Sequence, residues 1–363
     1  MRSTLYYVWF SGLSLMHRTK NLLLDEIGSI EEVYLLDEKR LSQIPYLTRK
    51  DKDALLYKST DEAARILDLC SKKGVGVFTK DSPQYPERLQ ELPDAPMVLY
   101  YKGDFPTLTD TPVVTIVGTR RASAYGVKMA STIAHDLAAA DILVVSGMAE
   151  GIDGAANDGA LRGGGRTIAV LASGVDIIYP LSNRKLYDRI LAKGVLLSEY
   201  PPEVKATPAQ FPLRNRIMAA LCDGVLVINT PKKSGALITA SYALSYGKDL
   251  FAVPGNANLV DHVGSNELLK EGANFVTSAS DILEYYNLSY DKNIVTAQKE
   301  APRKTVSDLT EEEQAVLALI KDGMSTDELE EASSLPTSQT MSILTMLEIK
   351  GIVRLDKRQL YLL

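Results

Sequence analysis

From residue 112 to about residue 277, short apolar runs alternate with longer segments whose apolar positions recur at helical spacing. The runs at 113–117, 142–146, 167–171, 195–198, 224–228 and 250–253 are dominated by aliphatic side chains, as strands buried on both faces are, and the shorter, less apolar 274–276 is a further strand candidate. The segments between them, at 127–140, 154–161, 183–192, 215–222, 237–246 and 267–270, read as helices. Such alternation predicts an α/β core with a mostly parallel sheet covered on both faces. This core is expected to span residues 81–288. It is entered through a Pro-punctuated connector at 82–104 with a short strand at 97–101.

The ends of the chain carry different patterns. Residues 1–80 read mostly helical, with helix-spaced apolar groups at 22–27, 33–36 and 63–69. Two readings are open here: a plain helical bundle, or a degenerate sterile-alpha-motif or helix-hairpin-helix-like domain. The second would want a Gly-rich hairpin, for which only Gly12 and Gly28 are available. Residues 289–308 turn polar and predict a linker. In 309–363, helices at 309–320, 327–332 and 337–349 precede a hairpin of 351–355 with 360–362, the order of a winged helix. Its third helix would be the DNA-reading one. Yet 337–349 holds no Lys or Arg and includes Glu348, so a protein-contact or regulatory role fits this tail better.

Composition narrows the class. A chain of 363 residues exceeds one ordinary core, which agrees with the division above. The formal net charge is −6, with −2 on 1–111, zero on 112–287 and −4 on 288–363. Any polyanion must therefore be held by a local cluster rather than by a global field. The N-terminus shows no signal-peptide pattern and no run reaches bilayer-spanning length. Cys70 and Cys222 are far apart in apolar surroundings, which predicts buried thiols in a cytoplasmic protein.

The candidate chemistry sits just after the strands. In VTIVGTRRASAYG, Gly118 permits a tight turn, and Thr119, Arg120 and Arg121 follow it before a helix. Backbone N–H groups and two forked guanidinium groups at that place suit phosphate. Three further loops should converge on the same sheet edge: VVSGMAEGID with Ser146 and Gly147, FPLRNR with Phe211, Arg214, Asn215 and Arg216, and KKSGALITA with Lys232, Lys233, Ser234 and Gly235. The composite is a basic pocket floored by helix N-termini, with Phe211 available to stack on a base. Each element also has a plainer reading. Gly118 and Gly147 suit ordinary turns, Phe211 suits a core, and Asp153 suits a helix cap. Arg216 fits a buried partner of Glu199 or Asp153 as well as a phosphate contact.

No GxGxxG follows the first strand and no GxxxxGK[ST] occurs. His17, His135 and His262 are scattered without metal-ligand spacing, so no metal and no cofactor are expected. Anion-binding groups without an evident nucleophile or base point to binding rather than catalysis.

The stretches YPERLQELPDAPMVLYYKGD, VTIVGTRRASAYG, VVSGMAEGIDGAANDGAL, TIAVLASGVDIIYPLSNRKL, LLSEYPP, FPLRNRIMAAL, KKSGALITA, FAVPGN and GSNELLKEGA occur in this order over residues 82–276. As an ordered set the chain resembles the DNA-processing protein A (DprA, or Smf) family. The resemblance implies an extended Rossmann-like, doubly wound core with a helical N-terminal and a winged-helix C-terminal domain. It implies a homodimer that binds single-stranded DNA, protects it, and loads the RecA recombinase during DNA uptake and transformation, with single-strand-binding protein as a further partner. By position, Gly118, Thr119 and Arg120 match the family's DNA-contact turn. Phe211, Arg214, Asn215 and Arg216 match its second basic motif, and Lys233, Ser234 and Gly235 its third. The chain departs from the family in Asn157, where His is frequent, and Ala172, where Gly is frequent. The alternative is a nucleotide enzyme similar to the nucleoside-monophosphate phosphoribohydrolases. Their PGGxGTxxE loop corresponds to TPKKSGALITA here, which lacks the glutamate.

Overall fold

The computed structural model describes residues 2–288 except 91, 107, 109 and 110, and residues 309–362 except 322, 323, 334, 350, 351, 357 and 358. The linker expected at 289–308 lies outside the described residues. Two compact units are present, divided between Tyr290 and Asp291.

In the first unit, the aliphatic runs form strands because each side chain of a run finds an apolar layer on its own face of one sheet. The strands are β1 (Gly76–Thr79), β2 (Val98–Gly103), β3 (Val113–Gly118), β4 (Leu143–Ser146), β5 (Thr167–Val170), β6 (Val195–Ser198), β7 (Gly224–Ile228), β8 (Asp249–Ala252) and β9 (Asn274–Phe275). Their order across the sheet is β1-β2-β6-β5-β4-β3-β7-β8-β9. From β6 to β9 every pairing is parallel, whereas β1–β2 and β2–β6 are antiparallel. β1 falls within the stretch expected to be mostly helical. Its GVFT run is too short to show a period by itself, and it exists by pairing with β2.

Alternation places Val113 and Val117 in one apolar layer and Val114 and Ile116 in the other. The first layer is closed by α11 (Gln210–Leu221) and α12 (Gly235–Ser245). The second is closed by α8 (Ala124–Ala139), α9 (Ile152–Arg162) and α14 (Ala279–Tyr285). From β3 the chain winds toward β4, and from β7 toward β8, so the winding reverses between two adjacent parallel strands. A crevice at the carboxyl ends of such a strand pair is where open α/β sheets take their ligands.

The six N-terminal helices run from α1 (Arg2–Gly12) to α6 (Asp61–Lys73). They share an apolar core with Met97, Val98 and Tyr100 of the β2 region and with Leu171 and Leu196. Local signals set their ends. Thr48 and Asp51 form a capping box at the start of α5 (Arg49–Leu56), and Gly74 at φ +62° closes α6.

The second unit has helices α15 (Glu311–Leu319), α16 (Thr326–Ala332) and α17 (Thr337–Ile349) with strands β10 (Met324–Ser325), β11 (Val353–Asp356) and β12 (Gln359–Leu362). The strands form a three-stranded sheet in the order β10-β12-β11, giving the winged helix expected from the pattern. Capping boxes Thr310–Glu313 and Ser325–Glu328 start its first two helices. Among the described residues no helix is long and apolar enough to cross a membrane.

Candidate nucleic-acid interface

The crevice at the β3/β7 switch holds a cavity of about 350 Å³, lined by residues of four separate loops and helices. Gly118, Thr119, Arg120, Arg121, Phe211, Arg214, Asn215, Lys233, Ser234 and Gly235 all line it. Backbone bonds fix the turn after β3: Thr119 N–H donates to the Asn229 carbonyl at 3.2 Å, and Ile152 N–H donates to the Thr119 carbonyl at 3.2 Å. The close approach needs glycine on both sides. A Cβ at Gly118 would stand 2.1 Å from the Ile228 carbonyl oxygen. One at Gly151, which also sits at φ +77°, would stand 2.3 Å from the Thr119 oxygen.

Arg120 and Arg121 are exposed at the rim. The Arg120 guanidinium carbon lies 4.3 Å from the centre of the Phe211 ring, a cation stacked on an aromatic face. Phe211 is half-buried near the start of α11, where Pro212 is tolerated because a first helical turn has N–H groups without partners anyway. On the opposite wall, Ser234 caps α12 by accepting from Ala236 N–H at 3.3 Å. Asn215 ties the walls together, donating to the Gly235 carbonyl at 3.1 Å. Lys233 is exposed, and the space beside Gly235 is open. The Thr239 hydroxyl, at the crevice floor, is buried without a hydrogen-bond partner among the described residues.

Arg214 lines the crevice but is buried at 3% exposure. It donates to the Gly147 carbonyl at 2.9 Å and to the Val170 carbonyl, and it faces Asp153 at 3.9 Å. Burial lowers its pKa to about 10, against the pull of Asp153, so it stays cationic at neutral pH. Burial pushes the Asp153 carboxyl up, while Arg214, Arg120 and the amides of Gly147 and Ala149 hold it down. Asp153 is therefore not the helix cap it was expected to be. Gly151 occupies the N-cap of α9, and the Asp153 carboxylate anchors Arg214 beneath the crevice. A Cβ at Gly147 would come within 2.4 Å of both the Arg214 guanidinium and the Asp153 carboxylate, so a larger residue there would displace this pair.

Four of the expected site residues stand outside the lining. Ser146 is fully buried and donates to the Ile116 carbonyl, and Gly147 serves as the Arg214 acceptor. Lys232 turns to Glu267, 2.9 Å away at the surface. Arg216 points into the protein, hydrogen-bonded to Glu199 with Asp94 at 3.6 Å, which is the structural one of its two open readings. The reason is helical geometry: successive residues of α11 face different ways, so Arg214 and Arg216 cannot both face the crevice. Asn157 is likewise structural, accepting from Met148 N–H and donating to Thr167.

Residues 76–287 match the family model described as DNA recombination-mediator protein A, and residues 300–356 match that of the DprA winged helix domain. The chain belongs to the DNA recombination-mediator protein A family.

Among members of this family, the DNA processing protein DprA of Bacillus subtilis is 40% identical over 220 residues, 61% of this chain and 74% of the relative. That of Streptococcus pneumoniae is 43% identical over 201 residues, 55% of this chain and 70% of the relative. Protein Smf of Synechocystis is 41% identical over 222 residues, 60% of this chain, and the match spans 56% of the Synechocystis protein's length. The X-ray structure of Streptococcus pneumoniae DprA superposes with a TM-score of 0.67 at 33% identity, covering 78% of this chain and 97% of that one. A DprA structure from Helicobacter pylori, described for its unique single-stranded DNA binding mode, superposes at 0.54 and 34% identity, covering 60% and 97%. The family therefore accounts for both described units, the α/β core and the winged helix.

The residues missed by sequence reasoning are Asn229 and Thr239, which shape the crevice, and Tyr179 at its margin, while Gly151 falls in the small-residue loop at 144–153 that the sequence singles out. Asn229 carries a signal only in its backbone conformation, at φ +47°.

Proposed function

We propose that this chain is a single-stranded DNA-binding recombination mediator that acts without catalysing a reaction. The observation that carries the reading is the exposed Arg120 guanidinium stacked on Phe211 at the mouth of a crevice with Lys233 and the α12 N-terminus opposite. Phosphates have cations and N–H groups to meet, and a base has an aromatic face, which is the recurring make-up of sequence-tolerant single-strand sites. The Helicobacter pylori relative, with its single-stranded DNA binding mode, supports the same ligand for this family member. In this reading the contacts come from Gly118, Thr119, Arg120, Arg121, Phe211, Asn215, Lys233, Ser234 and Gly235, with Arg214, held by Asp153, forming the base of the site.

The proposed assembly is a homodimer working in the cytoplasm, as the family resemblance implies. It shields incoming single strands and delivers them to RecA, with single-strand-binding protein as a further partner, during DNA uptake and transformation. A gel shift of labelled oligo-dT against duplex tests the first step. Affinity should favour the single strand and fall with salt. The second step is read by RecA filament formation on strands precoated with single-strand-binding protein, which this chain should accelerate.

The competing reading, hydrolysis of nucleoside monophosphates, finds little support in the crevice chemistry. The carboxylate at the lining, Asp153, is buried and engaged with Arg214 rather than free to act on a sugar. Release of free base from nucleoside monophosphates, followed by chromatography, would overturn the non-enzymatic assignment.

A further inference from the structure

We propose that Tyr179 is a second base-stacking platform, so that the site takes at least two adjacent nucleotides of one strand rather than a single mononucleotide. The inference rests on the single-strand reading above and specifies its footprint.

Tyr179 leaves 46% of its surface exposed, and among the described residues its hydroxyl has no hydrogen-bond partner. Its ring contact is with Phe211, at 5.7 Å between centroids and 52° between planes. An aromatic ring so placed contributes little to the core, but it extends the face that Phe211 begins. To hold one base between them, two rings must be nearly parallel and about 7 Å apart, twice a van der Waals contact. Tyr179 and Phe211 are too close and too tilted for that. Each platform can therefore serve only a base of its own: Tyr179 on its outer face, and Phe211 through the Arg120 guanidinium that covers its ring, since guanidinium planes themselves stack on bases.

The chain beyond Tyr179 repeats the composition of the first platform. Arg184 and Lys185 open α10 (Arg184–Lys193), are exposed, and form no ion pair among the described residues. Asn183, the residue before them, donates to the Met148 and Ala149 carbonyls, and Ala149 lines the crevice, so the start of α10 lies against the crevice wall and a strand extended past Tyr179 toward it meets two cations. A mononucleotide seated at Phe211 would leave all three unused.

The experiment uses the full chain and fluorescently labelled thymidine oligonucleotides of increasing length, measured by anisotropy. The wild-type chain should gain affinity sharply from one nucleotide to two, and Tyr179→Ala should lose that gain. On a long oligo-dT, Tyr179→Ala should weaken binding by about 5- to 150-fold, the worth of one stacked base, with an unchanged salt slope. Tyr179→Phe should bind within about twofold of wild type, because stacking needs the ring and not the hydroxyl. The double variant Arg184→Ala with Lys185→Ala should instead flatten the logarithmic salt slope by about 1.4, two single-strand phosphate contacts. Ultraviolet cross-linking of a 5-iododeoxyuridine oligonucleotide should map to Tyr179 as well as Phe211. Wild-type affinity in Tyr179→Ala beside weakened binding in Phe211→Ala, or cross-links at Phe211 alone, would overturn this inference while leaving the single-strand reading intact. Failure of the wild-type chain to bind oligo-dT at all would overturn both.

Discussion

The guanidinium of Arg216 is hydrogen-bonded to the carboxylate of Glu199, and both side chains are sealed from water at 1% and 4% exposure. Two residues earlier on the same helix, Arg214 looks the other way, into the crevice. The motif FPLRNR therefore serves two purposes, one arginine for the ligand side and one for the fold.

Arg216→Ala should be a folding variant. Removal of one partner leaves Glu199, whose pKa burial already raises, without its hydrogen-bonded cation in the interior, with only His17 at 3.7 Å and the field of Lys20 beside it. Loss of one member of a buried pair costs about 3–5 kcal/mol, to be read by equilibrium urea unfolding. Changing Arg214 and Arg216 together consequently cannot isolate a binding effect. Wild-type stability in Arg216→Ala would show that the buried pair contributes nothing.

Arg120→Ala should separate binding from stability. Arg120 is exposed and touches the Phe211 ring, so the unfolding free energy should stay within about 0.5 kcal/mol of wild type. Oligo-dT affinity should fall, and the logarithmic salt slope should shrink by about 0.7 for one lost phosphate contact. Unaltered affinity in the folded variant would remove Arg120 from the interface.

Glycine substitutions should sort by geometry. Gly151→Ala forces a Cβ to 2.3 Å from the Thr119 oxygen at positive φ, so both stability and oligo-dT binding should drop. Gly235→Ala enters open space at the first position of α12, and its melting temperature should stay close to wild type. If it nonetheless weakens oligo-dT binding, the strand's backbone passes directly over residue 235.

The two cysteines should be silent toward alkylation in the native state. Burial lifts the thiols of Cys70 and Cys222 from 9.0 to about 11. The reactive thiolate is thus scarce at pH 8 and grows only as pH rises toward 11. Iodoacetamide at pH 8 should label neither residue in the folded chain and both in urea. Mass spectrometry of the native sample supplies the check, and rapid native labelling would mean that the core around them opens.

A chain ended at residue 290 should bind oligo-dT as the full chain does. Every residue assigned to the crevice lies in the first unit, and α17 carries no Lys or Arg to meet a phosphate. A tenfold or larger loss of affinity on truncation would give the winged helix a share in DNA contact.

Much of this architecture is legible in the sequence because it rests on period. The runs at 113–117 and 224–228 are aliphatic except at Thr115 and Gly224, and their strands end within a residue of the aliphatic pattern. The crevice is legible for a related reason: Gly118, Ser234 and Gly235 are turn and cap residues whose chemistry is local. Side-chain direction on a helix is a different matter. Arg214 and Arg216 look alike in the motif, and only the neighbours of α11 decide which one meets Glu199. Tyr179 reads as part of a loop, and nothing local reveals that the loop returns to Phe211. β1 escapes notice because four residues acquire strand character only from β2.

Asn229 holds a left-handed backbone at φ +47° while its side-chain oxygen accepts from the amide and hydroxyl of Ser123 and its amide donates to the Asp261 carbonyl. One buried side chain thereby pins the start of α8 to the segment beyond β8, directly under the turn that carries Arg120. The aperture is set before any ligand arrives. The disorder surrendered on association then belongs to the oligonucleotide and to a few rim side chains rather than to the protein's main chain. A mouth braced in this way gives up little main-chain entropy on its own side, so more of what stacking and phosphate contacts supply is kept as affinity.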